Sequence, residues 1–401
     1  MPSTPGREPI VVERQGQVEE FRALAHEEGA FAFDTEFVME DRYEAEVCLV
    51  QLATQRCVFL VDPFLELNLM PVWELVADES VETVVHAGQE DLAIAFRETG
   101  KVPRRVFDVQ VAAGFVGLDY PISLQKLVQA VAHVRLHKSK TLTDWRKRPL
   151  SAAQLRYAAD DVGFLLGIRK KLHDRLVKRG RLAWAEEEIR HFEDRTLYVR
   201  DDVEKLRRVK GMSILKGQQL TVAGHLLAWR DELARQLNRP ARIVMKDHLL
   251  VEIAKHGMSN YAELRDLRGL NMGDKHVHAL AGEVQKALTL PVLDAEANKN
   301  SEFEEPRESV LIALATAVVR GYCLDEDLAY GLAATKKGLR DLIRHRTMKN
   351  PESAAEVELL NGWRGETIGT LLDDVLAGRR AIRIETVHGE PHVRCDRKVS
   401  S

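Results

Sequence analysis

Two acidic residues interrupt an apolar run near the start of the chain. Asp34 and Glu36 lie two apart in AFAFDTEF (residues 30–37), a segment that predicts a strand. Because side chains alternate between the two faces of a strand, both carboxylates are expected on the same face. An isolated Asp-x-Glu pair is more often a strand end that reaches solvent, since buried acids are costly.

Three further polar residues fall in two predicted helices. Asp91 lies in the first turn of a helix that follows a predicted strand ending at His86, where a single acid can simply complement the helix dipole. Tyr157 and Asp161 are four residues apart on a later helix, so they share a face, whereas Asp160 points about a quarter-turn away. Alone, such a Tyr–Asp pair is usually a surface hydrogen bond.

Together these acids predict more than each does separately. Four carboxylates from two strand-linked segments and one helix can converge, and at neutral pH such a cluster requires cations or one protonated member. Sites made only of oxygen ligands suit magnesium or manganese. Two such ions, roughly 3.5–4 Å apart, stabilise both the attacking and the leaving oxygen in phosphoryl transfer.

Three motifs resemble those of a known nuclease family: FDTEF (residues 33–37), HAGQEDL (86–92) and YAADD (157–161). The chain thereby resembles the DEDD family of 3′→5′ exonucleases and, within it, the ribonuclease D family, which the segment KSKTLTDWRKRPL (138–150) also resembles. The other DEDD branch has a histidine five residues before the last acid. Arg156 stands at that position, so the resemblance is to the tyrosine branch.

The resemblance implies roles for the motif residues. Four carboxylates would hold two divalent ions, Mg²⁺ or Mn²⁺: Asp34, Glu36, Asp91 and Asp161. Tyr157 would orient the attacking water, and Glu36 would also lie near the terminal 3′-hydroxyl.

Three further residues, in the motifs or in a segment that also resembles the family, can be interpreted. Phe37 is a candidate for stacking on the last base, although a core position is about equally expected for it. Asp108 lies in a segment that also resembles the family, and we interpret it as a structural residue at a strand end. His86 is interpreted as a strand-ending residue, because a histidine does not suit an all-oxygen metal site.

Two basic segments suggest an anionic partner. Residues 135–148 contain six basic residues and one acid, and residues 205–216 contain five basic residues and no acid. A charged run is usually a solvated face, but two such clusters in a chain of net charge −4 favour phosphate contact. Lys138 and Lys140 are the best candidates for that contact, and Trp145 is interpreted as a packing anchor.

The first half of the chain predicts strands and helices in alternation. The predicted elements are a helix at 18–28, a strand at 30–37, a hairpin of 47–54 and 57–62, a strand at 81–87, a helix at 89–98 and a strand at 106–109. A capping box of Ser151 and Gln154 begins one long helix that ends at Gly180. With the family resemblance, this predicts a ribonuclease H-like α/β exonuclease domain with a mixed sheet over residues 1–200.

The second half predicts helices in two similar pieces, residues 218–290 and 307–385, separated by a polar, acidic linker at 291–306. LLAWRDELA in the first piece and NGWRGE in the second resemble the helicase-and-RNase-D C-terminal (HRDC) domain. The resemblance therefore implies two all-α HRDC-type domains. The alternating tail, residues 381–398, predicts a short hairpin.

Composition limits the class of protein. With 58 basic and 62 acidic residues, the chain has no uniformly basic coat for nucleic acid. Four cysteines without a Cys-x-x-Cys pair fit a reducing cytosol and argue against structural zinc. No signal peptide is recognised, and the apolar run 310–319 is too short for a membrane span, so a buried helix and a cytoplasmic protein are expected.

The leading hypothesis is a monomeric enzyme that removes 5′-mononucleotides from RNA 3′ ends, with tRNA precursors as the expected partner. The alternative is the same chemistry on DNA, as in the exonuclease of Werner-type helicases, since catalytic carboxylates recognise only phosphate and metal. No Gly-x-x-x-x-Gly-Lys-[Ser/Thr] loop occurs, which argues against a helicase. A non-catalytic nucleic-acid adaptor is the third hypothesis, and the intact motif set argues against it.

Overall fold

The computed structural model describes residues 8–136, 144–199, 205–206, 209–292, 305–347 and 357–397. The chain divides into two compact units, each made from separate segments of the sequence. The first unit comprises residues 1–35, 49–194 and 304–401, and the second comprises residues 36–48 and 195–303. The predicted domain boundaries, 1–200, 218–290 and 307–385, remain a prediction.

A six-stranded sheet forms the centre of the α/β part. Its strands are β1 (Ile10–Val12), β2 (Ala30–Val38), β3 (Glu46–Ala53), β4 (Val58–Val61), β5 (Glu82–Val85) and β6 (Val106–Asp108). Their order across the sheet is β1-β4-β3-β2-β5-β6. β3 and β4 are antiparallel, whereas β1 runs parallel to β4 and β5 parallel to both β2 and β6. The predicted mixed sheet and its early hairpin are therefore confirmed.

The parallel strands bring three sequence segments to one edge of the sheet. Ala32 of β2 pairs with Val84 of β5, and Val85 of β5 pairs with Asp108 of β6. Because carboxyl ends of parallel strands meet at one edge, the FDTEF segment, the start of the HAGQEDL segment and Asp108 lie side by side.

Eight helices accompany the sheet in the described part of the first 199 residues. They are α1 (Gln15–Glu28), α2 (Met70–Val76), α3 (Gln89–Thr99), α4 (Val109–Gly114), α5 (Leu124–Ala132), α6 (Ala152–Gly163), α7 (Leu165–Lys178) and α8 (Leu182–Ile189). Short 3₁₀ turns follow at Arg190–Glu193 and Arg195–Leu197.

The single long helix predicted from Ser151 is wrong, because two helices, α6 and α7, occupy that stretch. α6 ends at Gly163, and Phe164, with φ −100° and ψ −16°, lies between the two helices. Gly163, just before the break, has a low helix propensity, and the buried Phe164 ring packs at the break. The predicted end is correct, since Gly180 adopts φ +66° just after α7.

The second unit is helical and includes the connection between β2 and β3. Its helices are α9 (Gln218–Gln236), α10 (Ala241–Val244), α11 (Asp247–His256), α12 (Tyr261–Asp266) and α13 (Asp274–Thr289), with a 3₁₀ turn at Met212–Ile214. The buried Arg230 side chain donates to the Met245 carbonyl at 3.0 Å and pairs with Asp247. Tyr43, from the β2–β3 connection, donates its N–H to Asn238, and the Arg235 guanidinium lies 5.3 Å from the Tyr43 ring centroid.

The C-terminal segment belongs to the first unit. It contains α14 (Pro306–Asp325), α15 (Tyr330–Ala333), α16 (Lys336–Thr347), a 3₁₀ turn (Glu358–Leu360), α17 (Gly362–Arg364), a π-helical turn (Gly365–Gly369), α18 (Thr370–Leu376), β7 (Arg380–Val387) and β8 (Glu390–Arg397). β7 and β8 form the predicted hairpin, whose two turn residues, His388 and Gly389, both have positive φ as a type I′ turn requires.

The apolar run 310–319 lies in α14, which buries only one side. Ile312 and Val319 are buried, whereas Val310 is 67% exposed and Leu314 is also exposed. The interpretation as a buried helix is therefore correct for one face only. No helix in the described ranges is long and apolar enough to cross a membrane.

The C-terminal segment packs against the α/β part through Trp363. This side chain is fully buried, with its ring stacked on Trp184 at 5.4 Å and edge-on to Phe115 at 5.1 Å. Next to it, the Arg364 guanidinium donates to both carboxyl oxygens of Glu188, at 2.6 and 2.9 Å. Residues more than 170 positions apart therefore share one core.

Replacing Trp363 should destabilise the whole first unit. Trp363→Ala removes a buried aromatic side chain and should lower the free energy of unfolding by about 3–5 kcal/mol. Trp363→Phe retains much of the packing and serves as the matched control. Urea denaturation of the full chain measures both variants, and an unchanged Trp363→Ala midpoint would contradict the shared core.

Candidate active site

The first and second motifs meet through Thr35 and Asp91. Asp91 lies in the first turn of α3, directly after β5, and is only 7% exposed. Its Oδ1 accepts hydrogen bonds from the Thr35 N–H at 2.9 Å and from the Thr35 hydroxyl at 2.5 Å. Since Thr35 lies between Asp34 and Glu36 on β2, these bonds hold the Asp91 carboxyl beside the FDTEF segment.

The electrostatics of Asp91 disfavour an isolated negative charge. Burial raises the pKa of Asp91 to about 6, and the hydrogen bonds from Thr35 only partly oppose that shift. A cation beside this carboxyl would stabilise its ionised form.

Asp108 organises the backbone that leads into α3. Its Oδ1 accepts from the backbone N–H groups of Gln110 and Val111, capping α4, and from that of Ala87. Its Oδ2 accepts from the N–H of Gly88, the residue that precedes α3. The interpretation of Asp108 as a structural strand-end residue is therefore confirmed.

The Asp108 carboxyl is buried, and His86 is one of the groups near it. Burial raises the pKa of Asp108, while His86 and the backbone donors oppose the rise. Burial likewise lowers the pKa of His86, whose Nε2 lies 2.9 Å from the Ile122 carbonyl oxygen. His86 follows the last residue of β5, as predicted.

Asp108→Asn tests the contact with Gly88. The amide can keep one oxygen for the α4 cap, but its NH₂ would face the Gly88 N–H, so one donor is left without an acceptor. We expect a loss of about 1–3 kcal/mol in the free energy of unfolding, measured by urea denaturation. Asp119→Asn, at an exposed position, is the control. Equal stability of both variants would show that the Gly88 contact contributes nothing.

The third motif is positioned by a capped helix. The Ser151 hydroxyl accepts from the Gln154 N–H at 3.3 Å, and the Gln154 side chain accepts from the Ser151 N–H at 2.9 Å, which confirms the predicted capping box. Tyr157 and Asp161 are both half-buried on α6. The Trp145 ring lies 6.1 Å from that of Tyr157 and is 9% exposed, so its interpretation as a packing anchor is confirmed.

One member of the first basic segment has a structural role. Arg148 donates to both carboxyl oxygens of Asp62, at 2.5 and 2.8 Å, and to the Trp145 carbonyl at 2.7 Å. These bonds fix the chain just before α6. Lys138 and Lys140 lie outside the described residues.

The remaining predicted site residues are placed as follows. Asp34, Asp91, Tyr157 and Asp161 belong to the first unit, and Glu36 is assigned to the second. Within the ranges that the structure describes, no three His, Cys, Asp or Glu side chains are assembled as a metal centre. The four-carboxylate ligand set therefore stays a prediction, as does the role of the half-buried Phe37.

Thr35 is the site residue that the sequence interpretation missed. Thr35 carries no charge, so a search for paired acids and metal ligands passes over it. Its position between two acids in FDTEF was the available signal.

Comparisons with known proteins identify domain families in the chain. A family model described as a 3′-5′ exonuclease matches residues 9–177, and the HRDC domain model matches residues 219–279. Ribonuclease D of Bartonella henselae is 32% identical over 355 residues, 86% of this chain and 84% of that protein. Ribonuclease D of Acidiphilium cryptum is 31% identical over 402 residues, 96% of this chain and 99% of that protein.

A solved structure extends the likeness to the fold. The crystal structure of Escherichia coli RNase D, an exoribonuclease involved in structured RNA processing, matches with a TM-score of 0.79 at 25% identity. The match covers 93% of this chain and 99% of that one. With curated relatives above 30% identity over most of their length, the chain belongs to the ribonuclease D family and is a 3′→5′ exoribonuclease.

Proposed function

We propose that this exoribonuclease depends on two divalent ions, Mg²⁺ or Mn²⁺, and releases 5′-mononucleotides from RNA 3′ ends. The bonds from Thr35 to Asp91 carry the proposal, because they bring two acidic motifs together. The donor chemistry fits hard cations, since every proposed ligand offers oxygen. The raised pKa of Asp91 also supports the metal proposal, because the surrounding residues do not fully stabilise the negative charge of its buried carboxylate.

The proposed ligands are the four motif carboxylates, Asp34, Glu36, Asp91 and Asp161. Bound ions would stabilise the charge on the attacking and leaving oxygens. Thr35 holds the Asp91 carboxyl in place, so Asp91 would use the oxygen that Thr35 does not occupy. Tyr157 would hydrogen-bond the attacking water, and the enzyme would then belong to the tyrosine branch of the DEDD family. Phe37 would stack on the terminal base.

We also propose that the C-terminal helices form a second HRDC-type domain. Both helical segments begin with the same succession of backbone features. A long helix, α9 or α14, is followed by a residue with positive φ, Asn238 at +47° or Asp327 at +50°. A four-residue helix then ends at an extended residue with φ −156°, Met245 after α10 and Ala334 after α15.

The proposed substrate is a structured RNA with a 3′ extension, such as a tRNA precursor. This follows the E. coli relative, whose structure is described as that of an enzyme of structured RNA processing. Lys138 and Lys140 would contact its phosphates, and the enzyme would act as a monomer.

The experiment uses a 5′-labelled tRNA-like stem with a single-stranded 3′ tail and a DNA of the same sequence. With magnesium, a ladder that shortens from the 3′ end of the RNA, together with 5′-mononucleotides in the products, is expected. EDTA should stop the reaction, and manganese should restore it. Cleavage that persists in EDTA would contradict the metal proposal, and equal rates on DNA would favour the Werner-type alternative.

A further inference from the structure

The α7 region is strongly basic in a chain whose net charge is negative. Residues 169–181 (RKKLHDRLVKRGR) contain seven Lys or Arg and one acid, Asp174. The helix packs inward through Leu165, Ile168, Leu172 and Leu176. Helical periodicity therefore directs most of the charged side chains away from the core.

Apart from Lys171, ion pairs divide these basic residues into two groups. Arg169 pairs with Glu82 at 2.7 Å, Arg179 with Asp327 at 3.1 Å, and Arg181 with Glu326 at 2.9 Å. These three ion pairs hold α7 and the residues just after it in the first unit.

The second group consists of Lys170, Arg175 and Lys178. Among the described residues none of them has an ion-pair partner; Lys170 and Lys178 are exposed, and Arg175 is half-buried. Their charges are therefore available to a ligand.

The neighbouring helix α5 adds no opposing charge. Residues 121–136 contain Lys126 and Arg135, both exposed, and no acid. The Lys171 ammonium donates to the Val131 carbonyl at 3.0 Å, so the end of α5 lies against α7. We call Arg135, Lys170, Lys171, Arg175 and Lys178 the α7 surface.

The α7 surface adjoins the helix of the third motif. Only Phe164 separates α7 from α6, which carries Tyr157 and Asp161, and α7 packs against both α5 and α6. Arg135, which follows α5, and α7 thus precede and follow α6 in the chain.

We propose that the α7 surface binds the phosphate backbone of the RNA substrate, upstream of the 3′ nucleotide that is cleaved. Charge complementarity indicates that the ligand of the α7 surface is a polyanion, because clustered lysines and arginines attract a polyanion and release its counterions. The known exoribonuclease activity supplies such a polyanion.

The test compares two triple variants of the full chain with the same change in net charge. The first is Lys170→Gln, Arg175→Gln and Lys178→Gln. The control is Arg22→Gln, Lys101→Gln and Arg104→Gln, whose charges are already near Glu19, Glu74 and Glu79. Fluorescence anisotropy measures affinity for a tailed stem RNA in calcium between 50 and 300 mM salt, and thermal denaturation verifies folding.

Each lost single-strand phosphate contact should reduce the slope of log K against log[salt] by about 0.7. The α7 triple variant should therefore lose about 2 from the slope and on the order of 10- to 100-fold in affinity at 0.1 M salt. The loss of kcat/KM should be much larger for the tailed RNA than for a dinucleotide.

The control triple variant should stay within about twofold of the natural protein. Equal slopes and affinities for the two triple variants would overturn the proposal. An equal loss on RNA and dinucleotide would also overturn it, since that would mean that α7 only supports the active site. If the triple variant unfolds, the exposed pair Lys170→Gln and Lys178→Gln should still reduce the slope by about 1.4.

Discussion

Asp161→Asn and Asp34→Asn should each abolish RNA cleavage while the fold is retained. Each replacement removes one negative charge from the proposed two-ion site and keeps the side-chain size. Each of these charges would stabilise the transition state of phosphoryl transfer. Losing one of them should therefore lower the single-turnover rate by on the order of 10³-fold or more. The measurement uses the tailed stem RNA at saturating magnesium, with calorimetry of Mn²⁺ binding as an independent readout.

Asp160→Asn is the matched control for Asp161→Asn. Asp160 and Asp161 are adjacent on α6 and both half-buried, but they point in different directions. We expect Asp160→Asn to keep its rate within a few-fold and its Mn²⁺ affinity unchanged. Near-normal cleavage by Asp161→Asn, or equal defects in both variants, would refute the assignment of Asp161 as a ligand.

Tyr157→Phe should reduce turnover strongly without weakening metal or RNA binding. The tyrosine hydroxyl offers a hydrogen-bond donor and acceptor rather than a carboxylate, so it adds little to holding cations. Its hydroxyl is proposed to orient the attacking water, and loss of one such group typically costs about 10²–10⁴-fold in rate. The phenyl ring remains, so the packing against Trp145 should be preserved.

A magnesium titration of single-turnover rates separates the alternatives for Tyr157. A defect of constant size at all magnesium concentrations supports the water-orienting role. Rescue by higher magnesium would instead mean that Tyr157 supports the metal site. An unchanged rate would mean that the hydroxyl makes only a surface hydrogen bond.

Local patterns predicted most elements of the α/β part. The strand at β2, the β3–β4 hairpin and the cap at Ser151 each depend on residues within a few positions of one another, so composition and spacing suffice. The break at Phe164 escaped prediction because the apolar spacing continues through it from α6 into α7.

Contacts between distant segments were not predictable in the same way. Thr35 and Asp91 are 56 positions apart, and nothing in either local sequence specifies their hydrogen bonds. Likewise, the linker-like segment 291–306 suggested a separate helical piece at 307–385, whereas Trp363 shares a core with Phe115 and Trp184. Periodicity shows that a face is apolar, but it does not show which distant face covers it.

The shared core around Trp363 has a consequence for how the protein is made. Translation proceeds at about 5–20 residues per second, so Trp363 is synthesised roughly 9–36 s after Trp184. During that interval Phe115 and Trp184 lack the aromatic partner that covers them in the finished protein. The nascent exonuclease segment is therefore expected to present an apolar surface to chaperones on the ribosome until the last quarter of the chain has emerged.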